Sequence, residues 1–225
     1  GDVVIGYIDG GNSNYGTAVV GVVSGTDISF GTPVVFYTGN PAFYIGVGFD
    51  VNAAKIVIYY PVAGTATARV GTISGTAISF GTAVTITGAS SISVRPSIIY
   101  DPDSLKLVCC FAYNAATSVV VGTVSGTDIS FGTRVGLTYT NYPSMTYDTA
   151  INKFVLFYYD TTIYAISPAG VRYGDKIKLG TVSGTDISFV TAEGDAFIGT
   201  AGQDIKVMYD PDSARSILTG TPLND

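Results

Sequence analysis

Short apolar runs separated by polar, glycine-bearing breaks cover the chain from end to end, and they line up as four copies of one unit. The heptad Ser-Gly-Thr-Asp-Ile-Ser-Phe starts at Ser24, returns at Ser74 with Ala in place of Asp, and returns intact at Ser125 and Ser183. Spacings of 50, 51 and 58 residues lie far above a heptad or collagen period and fit one small antiparallel sheet per repeat. Strand one of the unit is predicted over Asp2 to Tyr7, Lys55 to Tyr60, Lys106 to Phe111 and Lys153 to Tyr158, with a fifth copy over Arg215 to Gly220. Strand two ends at Gly21, Gly71, Gly122 and Gly180, and strand three begins at Ile28, Ile78, Ile129 and Ile187. Strand four closes on Asp50, Asp101, Asp148 and Asp210, so each unit is a four-stranded meander.

The apolar pattern also orders the strands. Strands one and two are nearly continuous apolar runs, as in Ile56-Val57-Ile58-Tyr59-Tyr60, which suits strands covered on both faces. Strand three alternates and tolerates Pro33, which belongs at a sheet edge. Strand four carries Gly46, Ser97 and Ser144 at matching positions, small residues that let neighbouring sheets crowd together, and is expected innermost. The order four-one-two-three predicts an all-β fold, a single β-propeller over 1–225 built of four-stranded antiparallel blades at about 2–54, 55–105, 106–152 and 153–214. Asp204 to Asp210 is expected to close the ring of four by joining the N-terminal strands, which leaves the partial strand 215–220 surplus. That strand is either displaced or marks a piece of a longer propeller, and a solenoid or sandwich of the same meanders is the alternative fold.

Two connections are nearly invariant between units: the hairpin Ser-Gly-Thr-Asp, with Gly where positive φ is expected, and the Asp-to-Lys turn between strands four and one. In a meander successive turns alternate between the two ends of the sheet, so one end is repeated and the other variable. Variable turns on a repeated scaffold are the usual place for recognition. They include Asp9 to Gly16, Tyr37 to Phe43 and the long connection Thr161 to Asp175.

Composition narrows the chemistry. Eleven Lys and Arg against seventeen Asp and Glu give a net charge of −6 spread over all units, which argues against nucleic acid or an anionic membrane as partner. No apolar run approaches the roughly 18 residues of a membrane span. The start Gly1-Asp2-Val3 carries no initiator Met and no basic stretch, and reads as that of a processed or excised piece. Cys109 and Cys110 are adjacent in a strand, point to opposite faces and make poor disulfide partners.

The absence of His removes the imidazole base of Ser and Cys triads and the commonest transition-metal ligand. With one Glu, only Asp pairs remain for glycoside hydrolysis, and the repeated Asp50, Asp101, Asp148 and Asp210 read as turn caps. Asp101-Pro102-Asp103 and Asp210-Pro211-Asp212 offer too few oxygens for calcium. The chain is expected to be no enzyme and to hold no metal or cofactor. Aromatic and amide side chains on the variable turns suit sugar, since a ring stacks on a pyranose face while amides bond its hydroxyls. The candidates are Asn12, Asn14 and Tyr15; Tyr37 and Asn40; Tyr113 and Asn114; Tyr139, Asn141 and Tyr142; and Tyr164, Arg172 and Tyr173. Packing between blades is the competing role for these tyrosines.

Gly-Thr-Val-Ser-Gly-Thr-Asp-Ile-Ser-Phe-Gly-Thr at 122–133, Tyr-Asp-Pro-Asp-Ser-x-Lys at 100–106 and Asp-Gly-Gly-Asn-Ser-Asn-Tyr-Gly-Thr-Ala at 9–18 resemble repeats in tail and other virion proteins of tailed bacteriophages, especially marine ones. Nearly the whole chain takes part. The resemblance implies a virion or other extracellular location and a role in attachment or structural decoration. The partner would be a host-surface carbohydrate or protein, or other virion subunits. Val190, where the other units have Gly, and the lengthened Thr161 to Asp175 depart from the pattern.

Overall fold

The computed structural model describes the backbone of residues 2–40, 44–86, 92–113, 116–137, 140–167, 170–190, 206–210 and 215–219. Side chains are described throughout these except at 92–95, 113, 140–141, 160–175, 206–210 and 215–219. The described residues are all-β. The first sheet holds β1 (Asp2–Asp9), β2 (Tyr15–Ser24), β3 (Asp27–Phe30) and β4 (Val34–Tyr37). The second holds β5 (Gly46–Asp50), β6 (Lys55–Val62), β7 (Thr65–Ser74), β8 (Ala77–Phe80) and β9 (Val84–Thr85). The third holds β10 (Ile92–Asp101), β11 (Lys106–Tyr113), β12 (Ala116–Ser125), β13 (Asp128–Phe131) and β14 (Val135–Leu137). The fourth holds β15 (Thr140–Asp148), β16 (Lys153–Ser167), β17 (Gly170–Ser183) and β18 (Asp186–Phe189), followed by the pair β19 (Lys206–Asp210) and β20 (Arg215–Thr219).

The order four-one-two-three is present in the second, third and fourth sheets, as β5-β6-β7-β8, β10-β11-β12-β13 and β15-β16-β17-β18. Strand two runs three residues past its Val-Gly or Leu-Gly pair, to Ser24, Ser74, Ser125 and Ser183, because these residues pair with strand three, as in Ser24↔Asp27. In the first three sheets the outer strand breaks at Gly-Thr-Pro, Gly-Thr-Ala or Gly-Thr-Arg and resumes as β4, β9 or β14 on the same partner. Pro33 thus sits between two edge segments rather than within a strand. The predicted long connection Thr161 to Asp175 is instead a continued hairpin, in which β16 and β17 pair through Ala165↔Arg172 to Ser167↔Gly170 after a register shift.

The repeated turns behave as their sequence predicts. Gly25, Gly75, Gly126 and Gly184 all have φ between 59° and 62°, the left-handed region that only Gly enters without strain. Asp50, Asp101 and Asp148 are buried, and each carboxylate accepts backbone N–H groups of the turn that follows: from Ala53 at 2.9 Å, from Asp103 and Ser104 at 3.0 and 3.3 Å, and from Ala150 at 3.0 Å. The side chain of Asp210 lies outside the described residues. Lys55, Lys106 and Lys153 then each donate to a strand-two threonine at 2.9 Å, which ties the turn to its own sheet.

The core lies between successive sheets. Ile56, Ile58 and Tyr60 face Ala18 and Phe36 of the first sheet, while Val57 packs with Ile129 of the third. Cys109 faces the second sheet and Cys110 the fourth, opposite ways as expected. Strand-four segments meet directly: the Ser97 hydroxyl accepts the Met145 N–H at 3.2 Å, and a Cβ on Gly46 would stand 3.0 Å from the Pro96 ring.

A second contact repeats three times. The residue after the repeated Phe, Gly31, Gly81 or Gly132, donates its N–H to strand two of its own sheet at 2.8–2.9 Å. A Cβ there would collide with the carbonyl oxygen of Thr76, Thr127 or Thr185, the hairpin threonine of the following unit. The heptad and the glycine after it are therefore two halves of one clasp between units. In the fourth sheet Val190 keeps the backbone bond, to Leu179 at 2.9 Å, yet brings a branched Cβ to the place the clasp needs empty.

This bears on ring closure. β19 does not complete the first sheet: it pairs with β20 from Lys206↔Thr219 to Asp210↔Arg215 and lies against β15, while β1 pairs with β2. The C-terminal pair thus continues the repeat as strands four and one of a further unit. Clasping the Thr26 hairpin onto the fourth sheet would also drive it into Val190. The matching face of the first sheet is bare, with Ile28 45% exposed where Ile78 and Ile129 are 5% and 4%.

Candidate functional site

The alternation of turns places β1–β2, β6–β7, β11–β12 and β16–β17 hairpins at one end of the sheets. Between the first and second sheets a cavity of about 460 Å³ opens at this end. β4 supplies Val35, Phe36 and Tyr37, β6 supplies Tyr60 and Val62, and β7 supplies Thr65, Thr67 and Arg69. The volume is in the range of small-molecule sites, about 300–1,000 Å³.

Period two explains the composition of its walls. On β7, Ala66, Ala68 and Val70 turn toward the third sheet and are fully buried, so Thr65, Thr67 and Arg69 turn toward the first. Register sets Tyr60 opposite Thr67, and Ile58 opposite Arg69, on that face. The Tyr60 ring is buried at 5.0 Å from Phe36 and 5.3 Å from Tyr37, tilted 56° and 34° to them. Burial pushes the Tyr60 hydroxyl up from its usual range, against the pull of the Arg69 charge and hydrogen bond, and the nearby Tyr37 hydroxyl adds to the rise. Tyr60 is therefore a neutral hydroxyl near pH 7, beside a permanent cation. The Arg69 Nε is buried without a hydrogen-bond partner.

The equivalent interface one unit later is built differently. Aligned on the strand-two glycine and the strand-one lysine, Tyr60 becomes Phe111, Arg69 becomes Val120 and Thr65 becomes Ala116. Phe111 and Val120 are fully buried there with Ile86 and Ala66, and Phe111 stacks on Tyr59 at 5.5 Å. Tyr60, Arg69 and Thr65 thus have hydrocarbon counterparts in a neighbouring interface of the same fold, while Thr67 aligns with the buried Ser118, whose hydroxyl accepts from Arg134 at 2.8 Å.

Of the residues singled out in the sequence, Tyr37 lines this cavity. Asn12 and Asn14 are exposed in the β1–β2 turn, whose backbone closes on the Asp9 carbonyl at 3.0 Å, and Tyr15 starts β2 half-buried. Asn40 is exposed beyond β4. Tyr142 is half-buried at a bulge of β15, with φ of 53°, where pairing shifts between Asn141 and Ser144. Asn114 and Tyr139 lie outside the described residues, as do the side chains of Tyr113, Asn141, Tyr164, Arg172 and Tyr173. The described candidates are not gathered into one site.

Tyr60, Thr65, Thr67 and Arg69 escaped notice because strand residues read as core. The available signal was the column Val19, Arg69, Val120, Lys178, in which a strand position that is apolar in two units carries a cation in the other two.

A second cavity, about 640 Å³, opens at the repeated end between the same two sheets, among Val4, Val47, Phe49, Ile56 and Ile73. Its walls are mainly apolar and offer few directional contacts. Burial drives the Cys109 thiol up to about 12 and Cys110 further, so neither is a nucleophile or ligand near neutral pH. Among the described residues no three His, Cys, Asp or Glu side chains are grouped to hold a metal ion, and no helix is long and apolar enough to cross a membrane.

No protein-family model and no curated protein sequence matches the chain. Its fold is similar to that of a chain in the crystal structure of a nidogen/laminin complex. The two align with a TM-score of 0.53 over 98% of this chain and 70% of that one, at 13% identity. At that identity the likeness is one of fold.

Proposed function

We propose that the chain is a non-catalytic recognition module whose sheets are blades of a propeller, and that it binds a host-surface glycan or protein through the end bearing the unrepeated turns. Following the resemblance in its repeats, its setting is a virion or other extracellular assembly. One observation carries the reading: at this end Tyr60 and Arg69 line a cavity where Phe111 and Val120 close the next interface. A fold that closes with Phe and Val at these two columns has no structural need of Tyr60 and Arg69 there, and buried polar groups without full partners cost stability. Aromatic walls with hydroxyls and one cation suit a saccharide.

The test is binding of the purified chain to a glycan array and to host envelope material, with Tyr37→Ala as control. Binding that drops at least tenfold in the variant is expected, and no binding to either material would sink the reading. A purely structural module is the second reading, favoured by the bare apolar face of the first sheet, where Ile28 and Phe30 are 45% and 52% exposed. Under it, Ile28→Ser with Phe30→Ser would abolish incorporation into the assembly while Tyr37→Ala would not.

A further inference from the structure

We infer that the cavity between the first and second sheets takes a carboxylate-bearing sugar, a uronic acid residue, with Arg69 holding the carboxylate. The inference rests on the proposed recognition role and adds the charge class of the ligand. Among the described residues lining the cavity, Arg69 is the charged one and none is a carboxylate. Its neighbour Tyr60 is a neutral hydroxyl whose oxygen accepts from Arg69, so the guanidinium charge is not cancelled at the site. The Nε is buried and unpartnered. Beyond the bond to Tyr60 the Nε–H lacks an acceptor, which is costly, and a carboxylate is the acceptor that best matches a guanidinium in charge and planar geometry.

The rest of the wall matches the rest of the ligand. Thr65, Thr67 and Thr85 present hydroxyls, which both donate and accept and so suit the hydroxyls of a pyranose. Tyr37, half-buried over the Tyr60 ring, supplies the apolar surface that a sugar ring covers. The comparison with the next interface separates this role from folding. Val120 occupies the Arg69 column there and is fully buried, so the same sheet pairing forms with valine at that place. The arginine is dispensable to the architecture and is explained by something that comes to it.

Titration calorimetry at pH 7 with a galacturonate trisaccharide, its methyl ester and a galactose trisaccharide tests this. The wild-type chain should bind the acid at least tenfold more tightly than the ester or the neutral sugar, and added salt should weaken that preference. Arg69→Val should lose the acid at least tenfold while keeping a thermal midpoint no lower than the wild type, and Arg69→Lys should retain part of the preference. Equal affinity for acid and ester, or an Arg69→Val variant that binds the acid as before, would overturn the inference. So would equal binding of a penta-aspartate peptide. If the chain binds neutral glycans on the array and none of the three probes, the uronate assignment fails and the recognition role stands. If it binds no saccharide at all, the saccharide reading itself falls.

Discussion

The interface between the first and second sheets and the one between the second and third share the strand one-two-three meander, its register and the glycine–threonine clasp, and they differ in what fills them. The later one is closed with Phe111, Val120, Ile86 and a stacked Tyr59. The earlier one keeps Arg69 and Tyr60 at the same columns and leaves about 460 Å³ open. Since the scaffold is constant, the difference isolates what the fold needs from what it carries. The clasp and the apolar columns hold the sheets together, and the departures from them mark the place where chemistry is retained at a cost.

The largest expected effect lies in the closed interface. Phe111→Ala removes a fully buried ring and should destabilise by about 3–5 kcal/mol, whereas Tyr60→Ala, which already borders a cavity, should cost about 2 kcal/mol less. Urea denaturation of the two variants measures this, and equal losses would erase the distinction between the interfaces. Gly81→Val attacks the element they share. It puts a branched Cβ against the Thr127 carbonyl as Val190 would against a following hairpin, and about 3 kcal/mol of destabilisation is expected. A Gly81→Val chain of unchanged stability would remove the clasp from the account.

Alkaline pH separates the interfaces again. Burial holds the Cys109 thiol up at about 12 from an ordinary 9.0, so the folded state keeps a proton that the unfolded chain releases. Stability should therefore be level below about pH 8 and fall above 9, by up to about 1.4 kcal/mol per pH unit for one such group. The urea midpoint between pH 7 and 10.5 should show this slope, and Cys109→Ala should make it shallower by one group's share, leaving that of Cys110. The smallest effect is the most diagnostic. Arg69→Val should raise stability by about 1 kcal/mol, since it removes an unpartnered buried Nε. A loss would mean that the guanidinium serves the fold.

Much of the architecture was legible along the chain because period-two patterning and turn chemistry are local. Strand one was placed to the residue at its start in every unit, the hairpin glycines take the positive φ their motif demands, and Asp50, Asp101 and Asp148 cap the turns they were assigned to. The candidate site was less legible. Residues on exposed turns drew attention by type, yet the cavity is built largely from strand positions such as Tyr60 and Arg69, whose direction depends on which sheet lies against them. The long connection after Tyr158 read as a loop because its polar residues hide a strand pairing that only Ala165↔Arg172 reveals.

The sequence by itself determined the unit, its strand order and which turns repeat, since each follows from contacts between residues near one another in the chain. Only the tertiary structure decided how units meet: that the heptad is half of a clasp, that β19 pairs with β20 rather than with β1, and that Arg69 faces an open cavity while Val120 faces a filled one. Those outcomes depend on side chains about fifty residues apart being pressed together, where one branched Cβ or one missing hydrocarbon changes the fit.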